Sequence, residues 1–297
     1  MEVHPASKSL ILKLRGPGRV TSLIPRARVV PIDGINYTQV KFGLDEARVL
    51  RNMGIKAPSP IRYFYDWPLR VPGVADPKPF EHQRVSSEFF TLHNRCINLS
   101  DMGTGKTKSA MWAADYLMQH RVVNKAVIIC PKSTLSSVWE DEIRVNFLGR
   151  RTCAVLVGSK ERRLKLLEQD VDFYIINHDG LKVIEAELKK RTDINLWLYD
   201  EAAAVRNPQS QRHKTFAGLV RPTDWMWLMT GTPCPKEPTD VWGLAKLLGS
   251  KKIPHYFTAF KNDLMMQLTQ YKWVPKPGAF ERAYEALSPS IRFKKSD

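Results

Sequence analysis

From residue 79 onward, short apolar runs alternate with stretches of helical period, and no other feature constrains the fold as much. The runs lie at 96–99, 126–130, 153–157, 173–176, 196–199 and 225–229. Between them, 109–118, 135–147, 160–168 and 181–190 carry apolar residues at helical spacing. Short apolar strands separated by amphipathic helices belong to a parallel sheet covered on both faces. The expected class is therefore α/β, with one principal lobe over residues 79–250.

The flanking segments read differently. Residues 27–32 and 37–42 are β-rich and separated by Asp33-Gly34, a hairpin turn. A short helix over 45–53 comes next, stopped by Gly54. Residues 1–60 are thus expected to form a small α+β domain of β-β-α type. Prolines at 58, 60, 68, 72, 77 and 79 make 61–78 a linker that cannot be one long helix. Residues 251–297 are basic and aromatic without strand–helix alternation, and read as an extension.

Composition excludes several classes. Hydrophobic residues are 43% and charged residues 26%, ordinary for a globular chain and incompatible with wholesale disorder. No uncharged apolar run approaches about 18 residues, so no membrane helix is expected. The opening MEVHPASKSL has no apolar signal core. The four cysteines form no CxxC pair, which argues against a zinc ribbon or redox dithiol and suits a reducing compartment. The formal net charge of +16 points to a polyanionic partner, nucleic acid ahead of an anionic membrane surface, with a merely solubilising surface as the alternative.

Two motifs carry chemistry. Gly103-Thr104-Gly105-Lys106-Thr107 comes after the 96–99 strand and opens a helix, the context of a phosphate-binding loop. Backbone N–H groups of Met102 to Lys108 and the helix N-terminus would cradle phosphates. Lys106 would reach the β/γ-phosphates and the Thr107 hydroxyl would bind Mg²⁺. Ser100 stands where the usual pattern opens with glycine. Asp200-Glu201 closes the apolar run 196–199, placing carboxylates at the ligand edge of the sheet. Asp200 would hold Mg²⁺ through water, and Glu201 would polarise an attacking water.

With these motifs the chain resembles the SNF2-type branch of the superfamily 2 helicases and translocases. Gln83, in Pro79-Phe80-Glu81-His82-Gln83, looks like the adenine-reading glutamine of that superfamily. Asp101 to Thr107 is similar to motif I, and Cys130-Pro131-Lys132-Ser133-Thr134-Leu135 with Trp139 and Glu142 resembles motif Ia. Asn177-His178-Asp179-Gly180-Leu181 sits where motif Ib would, and Asp200-Glu201-Ala202-Ala203 with Arg206-Asn207 resembles the DEAH-box element. Thr230-Gly231-Thr232-Pro233 is similar to motif III. The resemblance covers roughly 79–260. It implies a RecA-like P-loop lobe that binds ATP and Mg²⁺, acts on double-stranded DNA, and couples hydrolysis to translocation or remodelling through Thr230 and Thr232. The compact form is closest to phage-borne or bacterial members, which implies a cytoplasmic setting in a bacterial or phage-infected cell. Ala203 replaces the box histidine, which puts the tightness of coupling in question. Too little chain comes after Pro233 for a second lobe, so the fragment alone is expected to be nearly inactive.

Other residues keep two readings. Lys132, Ser133 and Thr134 suit phosphate contact or a helix N-cap. Arg206 and Asn207 touch a nucleic-acid strand or cap a loop. His178 fits a structural role better than a chemical one, and Trp225 and Trp227 fit the core better than a stacking platform. The rival functions are a strand-separating DNA or RNA helicase, a nucleic-acid-binding module with a non-catalytic nucleotide switch, and a P-loop kinase or small-molecule ATPase.

Overall fold

The computed structural model describes residues 1–234 and 236–295; Pro235, and Ser296 and Asp297 at the end of the 251–297 segment, lie outside the described residues. β1 (Glu2–His4), β2 (Ser9–Leu12), α1 (Gly18–Leu23), β3 (Arg28–Ile32), β4 (Ile35–Lys41) and α2 (Leu44–Asn52) build the first unit. Its antiparallel sheet runs β1-β2-β4-β3. Ile32 pairs with Ile35 across Asp33 (φ 48°) and Gly34 (φ 75°), so both turn residues are left-handed, as a two-residue hairpin of matching twist requires. The β1–β2 hairpin and α1 have no counterpart in the sequence pattern, because strands of three and four residues show too few alternations to register a period. One sheet face buries Leu10, Leu12, Val40 and Phe42 against Ala47 and Leu50.

The proline-rich stretch contains α3 (Ile61–Phe64) and is fastened to the body of the protein by tryptophans. Trp67 packs edge-on against Trp112 at 5.6 Å, and Trp112 Nε1 donates to the Pro68 carbonyl at 2.8 Å.

The principal lobe runs in the order α4 (Glu81–Leu92), β5 (Arg95–Asn98), α5 (Lys106–Gln119), β6 (Lys125–Cys130), α6 (Asp141–Asn146), β7 (Cys153–Val155), α7 (Lys160–Leu167), β8 (Phe173–Asn177), α8 (Gly180–Val183), α9 (Glu185–Leu188), β9 (Ile194–Asp200), α10 (Gln211–Leu219), β10 (Trp225–Met229) and α11 (Trp242–Leu248). α12 (Phe257–Leu264), β11 (Met265–Gln267), β12 (Trp273–Pro275), α13 (Ala279–Ala286) and β13 (Ser290–Ile291) complete it. The central sheet is β13-β5-β10-β9-β6-β8-β7, parallel at every pairing. This is the parallel α/β architecture expected from the alternation, and it agrees with the RecA-like lobe that the resemblance implies. β9 and β10 read as continuous apolar runs because both of their faces are covered: Leu196, Leu198 and Trp227 belong to one core cluster, Trp197, Tyr199 and Leu228 to the other. Each buried large side chain contributes about 1.5–3 kcal/mol.

Three readings change in detail. The single helix expected over 135–147 is a π-helical turn, Leu135–Glu140, continued by α6. The helix expected over 181–190 breaks at Ile184 into α8 and α9. Of the segment 251–297, read as an extension, the described residues 251–295 fold back: Phe260, Leu264, Ala279, Ala283 and Leu287 share a buried cluster with Ile97 and Leu228. Helices of eight residues and a two-residue strand carry too little periodicity to be seen without their partner surface. Among the described residues no helix is long and apolar enough to cross a membrane.

Candidate active site

Three neighbouring strands end flush at the C-terminal edge of the sheet. Asn98 of β5 pairs with Met229 of β10, and Met229 pairs with Asp200 of β9. Ligands of open parallel sheets sit beyond the carboxyl ends of the strands. The loops leaving these strands carry Lys106, Glu201 and Thr230, and those after β5 and β10 touch: a Cβ on Gly231 would stand 3.5 Å from the Ser100 carbonyl oxygen.

The loop before α5 turns on Gly103 (φ 84°) and Gly105 (φ 77°). A Cβ on Gly103 would meet nothing within 4 Å, so that side of the loop is open. A Cβ on Gly105 would overlap the Gln83 side-chain nitrogen. Gln83 is buried against the loop, and its Oε1 accepts from the Phe80 N–H at 3.1 Å. The neighbouring His82 Nε2 lies 3.0 Å from the Thr104 carbonyl. The first turn of α4 therefore braces the loop from behind. α5 begins at Lys106, so the unpaired N–H groups of its first turn face the loop. Lys106 Nζ donates to the carbonyls of Ser100 (2.7 Å) and Asp101 (2.9 Å). Burial lowers its pKa, opposed by the carboxylates of Asp200, Glu201 and Asp101. Thr104 Oγ1 donates to Asp101 O, Met102 is exposed at the tip, and Thr107 is half-buried on α5. Lys108 pairs with Glu142 at 3.8 Å, so its ammonium is directed at α6 while its backbone stays in the helix start.

Asp200 and Glu201 differ in environment. Trp139 Nε1 donates to Asp200 Oδ2 and the Glu201 N–H to Oδ1, each at 3.1 Å. Burial pushes the Asp200 carboxyl above its ordinary pKa, against the Trp139 bond and the Lys106 charge. His178 Nε2 lies 2.9 Å from the Asp200 carbonyl and its ring stacks on Tyr199 at 4.9 Å. Burial lowers the His178 pKa from its ordinary value. Glu201 itself sits at φ 52°, ψ 51°, a left-handed conformation that costs a non-glycine residue about 1–2 kcal/mol.

Among the described residues no group of three or more His, Cys, Asp and Glu could hold a metal. One hydroxyl (Thr107) and one carboxylate (Asp200) instead suit Mg²⁺, which keeps waters and takes its remaining ligands from phosphates. The donor set thus fits a metal that arrives with a nucleotide.

The remaining predicted residues fall around this centre. Thr230 is buried; its N–H donates to Asn98 O at 3.0 Å, and its Oγ1 accepts from the Thr232 N–H at 3.3 Å. Lys132 and Ser133 are exposed after β6, while Thr134 Oγ1 donates to Pro131 O at 3.1 Å. Asn207 Oδ1 accepts from the Gln209 N–H at 2.9 Å and so caps its loop. Arg206 borders a cleft of about 610 Å³ with Trp242 and Tyr256, away from the loop that holds Lys106. Trp225 and Trp227 are core residues, edge-to-face at 6.1 Å.

Sequence reasoning gave no site role to Trp139 or to residues 289–295. The latter run beside β5 and onto the phosphate-loop entrance: Leu99 N donates to Ile291 O (2.7 Å), Asp101 N to Phe293 O (2.9 Å), and Phe293 N to Ser100 Oγ (3.0 Å). Trp139 was visible only as a neighbour of motif Ia, and the strap had no local signal at all.

The chain is 24% identical over 174 residues to "DNA repair and recombination protein RAD54-like" of Drosophila ananassae, covering 54% of this chain and 22% of that protein. It is 30% identical over 176 residues to "ISWI chromatin-remodeling complex ATPase CHR11" of Arabidopsis thaliana, covering 55% of this chain and 15% of that protein. The chain therefore spans less than a quarter of the length of either relative. The solved structure "Sulfolobus solfataricus SWI2/SNF2 ATPase core in complex with dsDNA" shares the fold at TM-score 0.62 and 22% identity, over 74% of this chain and 45% of that one. The profile of the SNF2-related domain matches residues 41–287, well over half of the chain, and the protein belongs to that family.

Proposed function

We propose that this lobe binds Mg·ATP between the 100–107 loop and Asp200-Glu201. In the whole protein it couples hydrolysis to movement along, or remodelling of, double-stranded DNA. The observation that carries the reading is the flush ending of β5, β10 and β9, which sets Lys106, Thr230 and the acidic pair around one crevice. The RAD54-like and ISWI relatives are named for DNA repair and chromatin remodelling, and the Sulfolobus structure holds duplex DNA; these support the DNA partner.

Each residue has a role that its surroundings allow. Lys106 exchanges its two carbonyl acceptors for phosphate oxygens and neutralises charge there. Thr107 and Asp200 hold the metal, which when bound supplies Lewis-acid stabilisation of the transferred phosphoryl group. Glu201, in the left-handed turn that leaves β9, orients the attacking water. Gln83 and the exposed Phe80 border the place of the base. Thr230, hydrogen-bonded to the end of β5, transmits changes in the loop towards the nucleic-acid face, to which Lys132, Ser133 and Arg206 contribute. We read residues 1–60 as a separate small domain, 61–78 as its tether, and 79–250 with 251–295 as one motor lobe.

The test is nucleotide affinity with Mg²⁺ for the parent and Lys106→Ala. The variant should lose at least tenfold; equal affinity removes the assignment. Duplex DNA added to a chain extended by a second lobe should stimulate hydrolysis, and Glu201→Gln should abolish it.

A further inference from the structure

The outer face of the N-terminal sheet takes no part in the nucleotide crevice. Residues 1–42 carry seven Lys and Arg against two acidic residues, Glu2 and Asp33. The inner sheet face is spent on the core, so the charge gathers outside. Ser9 pairs with Lys41, and Arg28 pairs with Gln39. Because paired residues and residues two apart share a face, Ser9, Arg28, Gln39 and Lys41 all stand on the outer side. They line a cleft of about 480 Å³ together with Lys8 and Arg26. No carboxylate lines this cleft, and none of its four cations makes an ion pair among the described residues.

The cleft is also ordered. Arg28 Nε donates to Gln39 Oε1 at 3.0 Å, and Gln39 Nε2 donates to Ser9 Oγ at 3.4 Å, a chain across three strands that aims the guanidinium outward. Lys8 (φ 45°) and Arg26 (φ 65°) are both left-handed non-glycine residues on its rim. Such strained positions persist where surrounding structure over-determines them, and they cluster at binding sites. The sheet packs against the motor lobe. Its core cluster includes Leu92 at the C-terminal end of α4, whose first turn braces the phosphate loop. At 1.5 Å per residue, the twelve-residue α4 spans roughly 18 Å between the phosphate loop and the inner core of the sheet. Nearly all of the sheet lies before residue 41, where the family match begins.

We propose that this face is a second nucleic-acid site, which grips the phosphate backbone of duplex DNA outside the motor crevice without reading sequence. It rests on the DNA partner proposed for the motor. The cleft presents four cations free of ion pairs, with hydroxyl and amide donors, but no exposed aromatic platform, which suits phosphates over unstacked bases.

The experiment measures binding of the full chain to a 20-base-pair duplex across salt concentrations, for the parent, for Arg26→Ala/Arg28→Ala/Lys41→Ala, and for Lys132→Ala. Three lost phosphate contacts should shallow the log–log salt slope by about 2.7. Between 50 and 200 mM salt the parent would then lose about 40-fold more affinity than the triple variant. Nucleotide affinity of the triple variant should stay at the parent level. An unchanged slope in the triple variant, with weaker binding in Lys132→Ala, overturns the sheet site and leaves the motor reading intact. A parent that binds no duplex overturns both. Poly-glutamate competing as well as DNA for the parent, but not for the triple variant, would make the face a protein-docking surface and overturn the nucleic-acid assignment.

Discussion

Glu201 holds a conformation that glycine would adopt more cheaply, and its replacement separates stability from chemistry. Glu201→Gly should stabilise the fold by about 1 kcal/mol, raising Tm by about 2–4 °C, while abolishing hydrolysis. Glu201→Gln should abolish hydrolysis at unchanged Tm. Thermal unfolding and turnover of the two variants check this. The buried histidines set a pH dependence. His93, His178 and His213 all have pKa values lowered from 6.5, in each case chiefly by burial. The folded chain therefore binds fewer protons there than the unfolded one. The corresponding stability is fully present above pH 6.5 and is lost as pH falls through the lower folded values. Tm should already decline between pH 7 and 5.5, before Glu185, held down to about 2 by Lys182 and Lys189, begins to protonate. A flat Tm in that window would contradict this linkage. At this scale the sequence singled out Lys106, Thr107, Asp200 and Glu201 as candidates, because the chemistry proposed for them is tied to a local spacing. It could not show that Trp139, 61 positions from Asp200, donates to its carboxylate.

Helix α10 begins at Ser210, whose Oγ accepts from the His213 N–H at 3.2 Å. Ser210→Ala should cost about 1 kcal/mol, readable by denaturant titration. The strap 289–295 is an element of another kind. Its bonds to Leu99, Ser100 and Asp101 fix the entrance of the phosphate loop, and the Phe293 ring lies 5.8 Å from His82, which itself contacts Thr104. A chain ending at 288 should bind nucleotide about tenfold more weakly, the equivalent of one net hydrogen bond of ~1.4 kcal/mol. Isothermal titration, with thermal unfolding as the check on folding, would decide it; equal affinity would show that the strap does not position the loop. The long apolar strands were legible because burial on both faces leaves an uninterrupted apolar run. β1, β2 and β13 were not, since two to four residues specify no period and acquire their state from the strand beside them.

Across the whole molecule, the proposed function implies that a second lobe completes the site at the ends of β5, β9 and β10. An arginine supplied in related phosphoryl transfers contributes about 10³–10⁵ in rate, or about 4–7 kcal/mol of barrier. Steady-state hydrolysis by residues 1–297 should accordingly be slow, with or without duplex DNA. Robust DNA-stimulated turnover that Glu201→Gln abolishes would show that another part of this chain, or a second copy, completes the site. The sequence by itself determined the parallel α/β lobe and that Gly103 to Thr107 and Asp200-Glu201 would stand at the ends of its strands, because periodic burial and motif spacing are written locally. It also determined the basic charge, though not where that charge would gather. Only the tertiary structure decided that residues 257–291 belong to the lobe, that the strap is hydrogen-bonded to Leu99, Ser100 and Asp101, and that Arg26, Arg28 and Lys41 converge on one outer face. Those facts depend on which surfaces meet, and strand pairing between residues far apart in the chain is chosen by the fold as a whole.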